Sequence, residues 1–223
     1  MSIGTNKKVI LTIKDQVYQI IRDSIISEQL KPGDRVNEVQ IAKDLNVSRS
    51  PVRSAINELI GEGLLESVPN KHVKVRKLTE KEILDIFELR LLVEGYAVEK
   101  AIERLDDRMK ATFRDFRDRL KACNTYAMLG KYVEIDTELH DFLIKASGNE
   151  MLHETMHRVA LLINPFRVVS LKSETRFIES IDEHIGLIDA LCEKDLKRAK
   201  ERIETHLTLA KNEVVEYLKT RHN

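Results

Sequence analysis

Residues 37–59, NEVQIAKDLNVSRSPVRSAINEL, decide the fold at the front of this 223-residue chain. Two apolar-periodic segments flank NVSR, which predicts two short helices with a tight connection. Asn37 is placed to cap the first helix and Ser48 the second, because short polar side chains accept hydrogen bonds from the free N–H groups of a first turn. Pro51 falls in a first turn, where its missing N–H is tolerated, and Gly63 is a good stop residue.

The flanking segments complete a small domain. Residues 13–28 predict a helix with five apolar side chains near one face, namely Ile13, Val17, Ile20, Ile21 and Ile25. Two β-prone segments, LLESV and VKVRK, surround the turn PNKH and predict a two-stranded hairpin, or wing, in which Asn70 can adopt left-handed backbone. We therefore predict a winged helix-turn-helix domain over residues 1–78.

The sequence pattern changes after residue 78. Thr79 and Glu82 form a capping-box pattern, and the remainder is periodic in the manner of α-helices. About six helices are expected, with breaks near Asp106, 129–131, 147–150, 170–174 and 193–195. The predicted fold class is mainly α, with an all-α bundle over residues 79–223 behind the winged domain.

Composition and charge indicate the class of partner and the cellular compartment. The net charge is zero, but residues 1–78 carry 13 Lys and Arg against 9 Asp and Glu, and the rest carries 24 against 28. A basic front half suits a nucleic-acid partner. Cys123 and Cys192 are expected to be reduced thiols. No apolar run approaches the ~20 residues that cross a bilayer, so we expect a cytoplasmic protein without membrane contact.

The candidate DNA-binding residues are Ser48, Arg49, Ser50, Arg53, Lys71 and His72. The N-terminal residues of a recognition helix face the major groove, where an arginine can donate two hydrogen bonds to guanine, worth ~1–3 kcal/mol of base discrimination. The two serines can donate to phosphate, and the lysine and histidine lie at the wing tip. The alternative is that Arg49 and Arg53 only solvate an exposed helix face.

Four polar residues in the rear half lie within apolar stripes. Asp136 and His140 are four apart and project from one helical face, while His184 and His206 each sit among apolar neighbours on later helices. Burying such groups without partners is costly. A divalent transition metal held by three imidazoles and one carboxylate removes that cost. Alternatively, each histidine is a separately satisfied core residue.

The segment HETMH, residues 153–157, offers a different function. Two histidines four apart on a helix, with a glutamate between them, are typical of zinc peptidases. The alternative function is therefore an all-α metal-dependent hydrolase or peptidase. Because the apolar stripe of this helix leaves His153 and His157 to one side, we interpret the segment as surface chemistry.

The front domain resembles the GntR family of bacterial transcription regulators along QLKPGDRVNEVQIAKDLNVSRSPVRSAINELIGEGLLE. The resemblance implies that Arg49 and Arg53 contact DNA, with Ser48 and Ser50 beside them. Members often carry glycine near the wing tip, where this chain has NKH. Residues 80–218 resemble the FCD ligand-binding domain of the FadR-like branch, on FELRLLVEGYAVEKA, DTELH and EHIGLIDAL followed by His206.

The FCD resemblance implies a sensor. In the metal-containing type, an aspartate and three histidines bind the ion, and here these match Asp136, His140, His184 and His206. Arg90 matches the arginine that faces the effector, although an intrahelical ion pair with Glu94 competes with that role. Zinc is the expected metal, with nickel or manganese as alternatives, and the metal is either part of the effector site or structural.

We expect a repressor that responds to a small organic acid effector. It would act as a homodimer on double-stranded DNA with a two-fold symmetric operator.

Overall fold

The computed structural model describes residues 11–27, 29–69 and 71–220. The chain divides into two compact units, Met1–Lys77 and Leu78–Asn223, one residue before the expected boundary. The predicted conformation of Asn70 and the last residue of the first predicted helix, Glu28, lie outside the described residues. No helix within the described ranges is both long enough and apolar enough to cross a bilayer.

The front unit follows the predicted order of elements. Its helices and strands are α1 (Ile13–Ile26), β1 (Arg35–Val36), α2 (Glu38–Asp44), α3 (Arg49–Gly61), β2 (Leu65–Val68) and β3 (His72–Val75). The fully buried side chains of α3 include Val52, Ala55 and Leu59, which anchor the recognition helix in the small core.

Helices α2 and α3 differ in how their N-termini are capped. The Asn37 side chain accepts hydrogen bonds from the N–H groups of Val39 and Gln40 at 3.0 and 3.2 Å, so the predicted cap of α2 is confirmed. Ser48 occupies the cap position of α3, but its side chain makes no capping hydrogen bond, and that part of the prediction is wrong. A cap side chain bonds the second or third N–H of the helix, and here the third residue is Pro51, which has none.

Gly63 ends α3 as predicted. Its φ is +81°, a left-handed backbone that suits glycine. The N–H groups of Gly63 and Leu64 donate to the carbonyls of Ile60 and Leu59, each at 3.0 Å. These two bonds form a Schellman motif, which satisfies carbonyls that the helix leaves free.

The predicted apolar face of α1 is only partly correct. Val17, Ile21 and Ile25 are buried, whereas Ile13 and Ile20 are 54% and 47% exposed. With about 3.6 residues per turn, the two exposed isoleucines lie roughly 80–100° away from the centre of the buried arc at Ile21. They belong to the edge of the stripe.

The wing has one strand more than predicted. Strand β1 pairs antiparallel with β3, with Val36 opposite Val73, and the sheet order is β1-β3-β2. A two-residue strand between a turn and a helix cap is too short to produce an alternating pattern, so the sequence predicted only the β2–β3 hairpin.

The rear unit contains the six predicted helices. They are α4 (Glu80–Glu103), α5 (Asp107–Ala122), α6 (Leu129–Ala146), α7 (Glu150–Val169), α8 (Glu174–Glu193) and α9 (Leu196–Thr220). The capping box before α4 is confirmed: Thr79 Oγ1 accepts from the Glu82 N–H at 3.2 Å, and Glu82 Oε2 accepts from the Thr79 N–H at 2.8 Å. The break predicted at 129–131 is misplaced, because α6 starts at Leu129 and a 3-10 helix, Tyr126–Met128, precedes it.

Packing brings three helices of this bundle around one interior region. Helix α4 packs against both α6 and α9, and α8 packs against α9. The core between them includes Tyr132, Leu139 and Phe177, which are fully or almost fully buried. This arrangement places the apolar stripes of α6, α8 and α9, with their embedded histidines, in the same core.

Candidate metal centre and nucleic-acid interface

One carboxylate holds both arginines of the recognition helix. Glu38, in the first turn of α2, accepts from Arg49 Nε at 2.9 Å and from Arg53 Nε and Nη2 at 3.1 Å. The hydrogen bond from Arg53 is the main reason that the pKa of Glu38 is lowered from its ordinary value. The arginine side chains remain exposed. The guanidinium groups therefore lie side by side at the start of α3, open to a DNA partner.

The remaining candidate DNA-binding residues lie at two positions of the fold. Ser48 and Ser50 are exposed at the N-terminus of α3, while Lys71 lies in the turn before β3 and His72 begins that strand. Partial burial lowers the pKa of His72, and the surrounding cations, first among them Arg35, lower it further. The wing is thus a basic surface.

The four predicted metal ligands converge in the rear bundle. Helix α6 supplies Asp136 and His140, α8 supplies His184 and α9 supplies His206, and all four are buried. One ligand atom from each residue lies within 4.8 Å of those from the others. Asp136 Oδ1 is 3.1 Å from His184 Nε2 and 3.5 Å from His140 Nε2, and the two Nε2 atoms are 3.3 Å apart.

The other nitrogen of each ring is held by a separate partner. His140 Nδ1 is 2.5 Å from Glu94 Oε2, and His206 Nδ1 is 2.9 Å from Glu183 Oε2. His184 Nδ1 is 2.9 Å from both the Ser180 carbonyl oxygen and the Tyr132 hydroxyl. Carboxylate and carbonyl oxygens only accept hydrogen bonds, so in the neutral form of each ring Nδ1 carries the proton and Nε2 has a lone pair.

The result is a buried point where four acceptors face one another. Burial, followed by the neighbouring His140, lowers the pKa of His184 to about 3, and burial also holds the pKa of His206 well below its ordinary value. The neutral imidazoles of His184 and His206, with Nε2 lone pairs, have no hydrogen to share with Asp136. Such a set is unfavourable by itself and matches the donor set of a divalent transition metal.

Several groups around the centre were not predicted as part of it. Glu183 also accepts two hydrogen bonds from Arg176, at 2.9 and 3.0 Å, and Arg167 donates to Asp136 Oδ2. Burial lowers the pKa of Arg167 to about 9. The sequence did contain a signal for Glu183. Like His184 beside it, Glu183 is a polar residue within the apolar stripe of α8.

Arg90 forms the ion pair that the sequence offered as one alternative, and it also borders a cavity. Its Nε donates to Glu94 Oε1 at 2.8 Å, which is the predicted intrahelical ion pair. Burial alone would raise the pKa of Glu94, but Arg90 and His140 overcome that effect and lower it. Arg90 also lines a cavity of about 370 Å³ beside the four-ligand cluster, together with Glu94, His140 and Arg167.

The HETMH segment also borders this cavity. His153 and His157 line it, and His153 Nε2 lies 2.9 Å from Asp141 Oδ1. His157 is exposed and His153 is partly buried, as the interpretation as surface chemistry expects, and both side chains also border the cavity. Neither histidine joins the metal-competent cluster, which is the only such group found among the described residues.

Known families match both units. Residues 13–75 match the family of bacterial regulatory proteins called the gntR family, and residues 85–209 match the FCD domain. The Nta operon transcriptional regulator of Aminobacter aminovorans is 29% identical over 87% of this chain and 90% of its own length. The transcriptional repressor GlaR of Escherichia coli is 25% identical over 85% of this chain and 90% of its own.

Solved structures share the fold. A GntR transcriptional regulator from Rhodococcus sp. RHA1 is similar with a TM-score of 0.75 and 24% identity, over 91% of this chain and 97% of that one. The Zn²⁺-bound FCD domain of TM0439 is similar with a TM-score of 0.53 and 23% identity, over 65% of this chain and 99% of that one.

These matches are to regulators, so the hydrolase or peptidase alternative is set aside. The chain belongs to the gntR family of bacterial regulatory proteins, with an FCD ligand-binding domain behind its DNA-binding domain, and it is a transcription regulator.

Proposed function

We propose that this regulator is a metal-containing repressor that senses a small organic acid and acts in the cytoplasm as a homodimer on two-fold symmetric DNA. The observation that carries the proposal is the convergence of three Nε2 lone pairs and one carboxylate oxygen beside a cavity lined by two arginines. The repressor role is supported by the name of the relative GlaR, a transcriptional repressor.

The four ligands fit a divalent transition metal. Bonds of about 2.1 Å at octahedral or tetrahedral angles imply ligand separations of about 3.0–3.4 Å. The separations between Asp136, His140 and His184 are 3.1 to 3.5 Å. Zinc is favoured because the related FCD domain of TM0439 binds Zn²⁺, and nickel and manganese are alternatives. A six-coordinate ion with four protein ligands has two positions open for a carboxylate or water.

The cavity beside the cluster is the proposed effector site. Its volume of about 370 Å³ lies at the small end of the range of about 300–1,000 Å³ that is usual for small-molecule sites. Arg90 and Arg167 are the cationic side chains that line it, and an arginine can pair with a carboxylate through two hydrogen bonds. Effector binding would change DNA affinity about 5- to 150-fold, the usual range of allosteric coupling.

An exposed apolar stripe supports the homodimer. Leu89, Leu92 and Tyr96 follow one face of α4, and Leu92 is 70% exposed. Side chains spaced in this way share a face. We assign the stripe to a second copy of the chain, because reading a two-fold symmetric operator requires two recognition helices.

The DNA assignment is tested with Arg49→Ala and Arg53→Ala. Each variant should lose about 5- to 150-fold in operator affinity, because an arginine–guanine contact contributes about 1–3 kcal/mol. Electrophoretic mobility shifts on operator and random DNA measure the effect. Arg22→Ala, in α1 of the same unit and paired with Asp23, serves as control. Unchanged operator preference in both recognition-helix variants would refute the assignment.

The metal assignment is tested with His184→Ala, compared with His153→Ala. The first removes a ligand of the cluster and should abolish stoichiometric metal in protein analysed by inductively coupled plasma mass spectrometry. The second alters a histidine at the cavity mouth and should leave the metal content unchanged. The opposite pattern would place the ion at the HETMH segment.

A further inference from the structure

Arg90, which lines the cavity, has a hydrogen-bond donor without a partner in the described part of the chain. Arg90 is buried, and no described residue accepts a hydrogen bond from its Nη2. Its neighbour Arg167 donates from Nε to Asn164 at 3.0 Å and from Nη1 to Asp136. A buried guanidinium donor without a partner is unfavourable, and an anionic oxygen is its best acceptor. The end of the cavity where Arg90 and Arg167 lie, its inner end, therefore suits one carboxylate.

The walls beyond this end are apolar. Ile144 from α6 and Met156 and Leu161 from α7 are buried side chains that line the cavity. Most of the exposed wall is carbon, including the faces and stems of polar residues. Water in such a space makes few hydrogen bonds, so a hydrocarbon group that replaces it is favoured.

The mouth disfavours a second negative charge. Glu138 and Asp141 are exposed there, and Asp141 already pairs with His153 at 2.9 Å. Among the described residues that line the cavity, Arg90 and Arg167 are the only ones with a guanidinium or ammonium group. Both are buried, so a carboxylate at the opposite end of a ligand would lie beside Glu138 and Asp141, which already pair with Arg119 at 2.7 Å and with His153.

We propose that the effector is a monocarboxylic acid with an apolar body. Its carboxylate binds at Arg90 and Arg167, and its hydrocarbon part lies along Ile144, Met156 and Leu161. This inference rests on the proposed function, which specifies an acid but not its class. It excludes short hydroxy acids and dicarboxylic acids as the preferred ligands.

The test is a homologous series on the full-length protein as purified, with its metal content measured. Isothermal titration calorimetry with acetate, butyrate and hexanoate should give a Kd that falls about fourfold for each added methylene, the factor for burying one such group. Hexanedioate has the same chain length as hexanoate and adds a distal carboxylate, so it should bind at least tenfold more weakly. Hexanol, which lacks the carboxylate, should not bind measurably.

Three results would overturn the inference. A Kd independent of chain length would refute the apolar body, and tighter binding of hexanedioate than of hexanoate would refute the single carboxylate. In both cases an acid still binds, so the proposed acid-sensing function stands. Failure of every acid to bind metal-loaded protein would refute that function as well.

A matched pair of variants locates the hydrocarbon part. Met156→Gln replaces a buried thioether in the wall by a polar group of similar size, and should weaken hexanoate about tenfold while leaving acetate unchanged. Met151→Gln makes the same change on the same helix at a side chain that is 74% exposed and outside this cavity. It should change neither Kd. Equal effects of the two substitutions would contradict the assigned wall, and circular dichroism checks that both variants are folded.

Discussion

A single carboxylate, Glu38, determines how the recognition helix presents its two arginines. It comes from α2 and accepts hydrogen bonds from both Arg49 and Arg53. Exposed ion pairs of this kind add little to stability. Their effect here is geometric, because the shared carboxylate fixes two flexible side chains in adjacent positions before DNA is bound. We therefore expect Glu38 to act as a positioning residue in DNA recognition.

Glu38→Gln should separate the effect of arginine orientation on operator preference from the effect of the carboxylate charge on DNA affinity. Loss of the carboxylate frees both arginines, so the preference for operator over random DNA should fall about tenfold, within the range of one arginine–guanine contact. Affinity for random DNA should stay the same or rise, since a negative charge near phosphates has been removed. Fluorescence anisotropy with both DNAs measures the two effects.

The control is Glu58→Gln, on α3 itself, where the carboxylate pairs with Lys14 at 2.8 Å. It removes the same charge without freeing Arg49 or Arg53. If Glu38→Gln raised affinity for both DNAs equally, Glu38 would be an electrostatic brake and not a positioning residue.

Among the site residues, the sequence predicted the four converging polar residues but not the groups that contact them. Asp136 and the three histidines are polar positions inside apolar stripes, a signal that can be read along one helix at a time. Glu183 is different, because it is adjacent to His184 in the sequence but contacts His206 on α9. That pairing depends on how α8 and α9 pack, which periodicity within one helix does not specify.

At the scale of elements, the front unit contrasts a helix capped by a side chain with one that is not. The Asn37 oxygen bonds two N–H groups of α2, whereas the Ser48 hydroxyl bonds none in α3. Helix α3 has instead a strong C-terminal end at Gly63 and three fully buried or nearly fully buried apolar side chains. Its stability therefore comes from packing and from its other end.

Asn37→Ala and Ser48→Ala should differ accordingly. Loss of a working cap costs about 1 kcal/mol, so Asn37→Ala should lower the free energy of unfolding by that amount. Ser48→Ala should change it by a few tenths of a kcal/mol at most, because no capping bond is lost. Urea unfolding followed by circular dichroism compares the two, and equal losses would contradict the arrangement described for Ser48.

Long elements with repeated signals were predicted well, and short or edge features were not. The capping box at Thr79 and the Gly63 stop each involve local atoms that a sequence specifies directly. Strand β1 has two residues and exists only because β3 is there to pair with it. Ile13 and Ile20 illustrate the same limit, since the boundary of a buried stripe depends on which neighbours cover it.

At the scale of the molecule, the proposed function depends on a homodimer. One recognition helix reads one half-site, and linking two converts the second contact into an intramolecular one. The exposed stripe of Leu89, Leu92 and Tyr96 on α4 is the assigned contact between copies. Disrupting it should therefore affect DNA binding without any change to the residues that touch DNA.

Leu92→Glu should convert the dimer to a monomer, because it places a charge in the centre of the apolar stripe. Light scattering coupled to size-exclusion chromatography gives the mass, and operator affinity should fall by about 10²- to 10⁴-fold as the second contact is lost. Ile178→Glu introduces the same charge at another exposed apolar side chain, on α8, and should remain dimeric. A dimeric Leu92→Glu protein would locate the interface elsewhere.

The two carboxylate oxygens of Glu94 have different hydrogen-bond partners. Oε1 accepts from Arg90, which borders the proposed effector site, and Oε2 faces His140, which belongs to the proposed metal site. An acid bound to Arg90 and an ion bound to His140 would therefore each affect the binding of the other through the Glu94 side chain. Thermodynamic reciprocity then requires that whatever factor the ion adds to acid affinity, the acid adds to ion affinity. Under the proposed function, the supply of the metal would therefore set the concentration of acid at which the regulator responds.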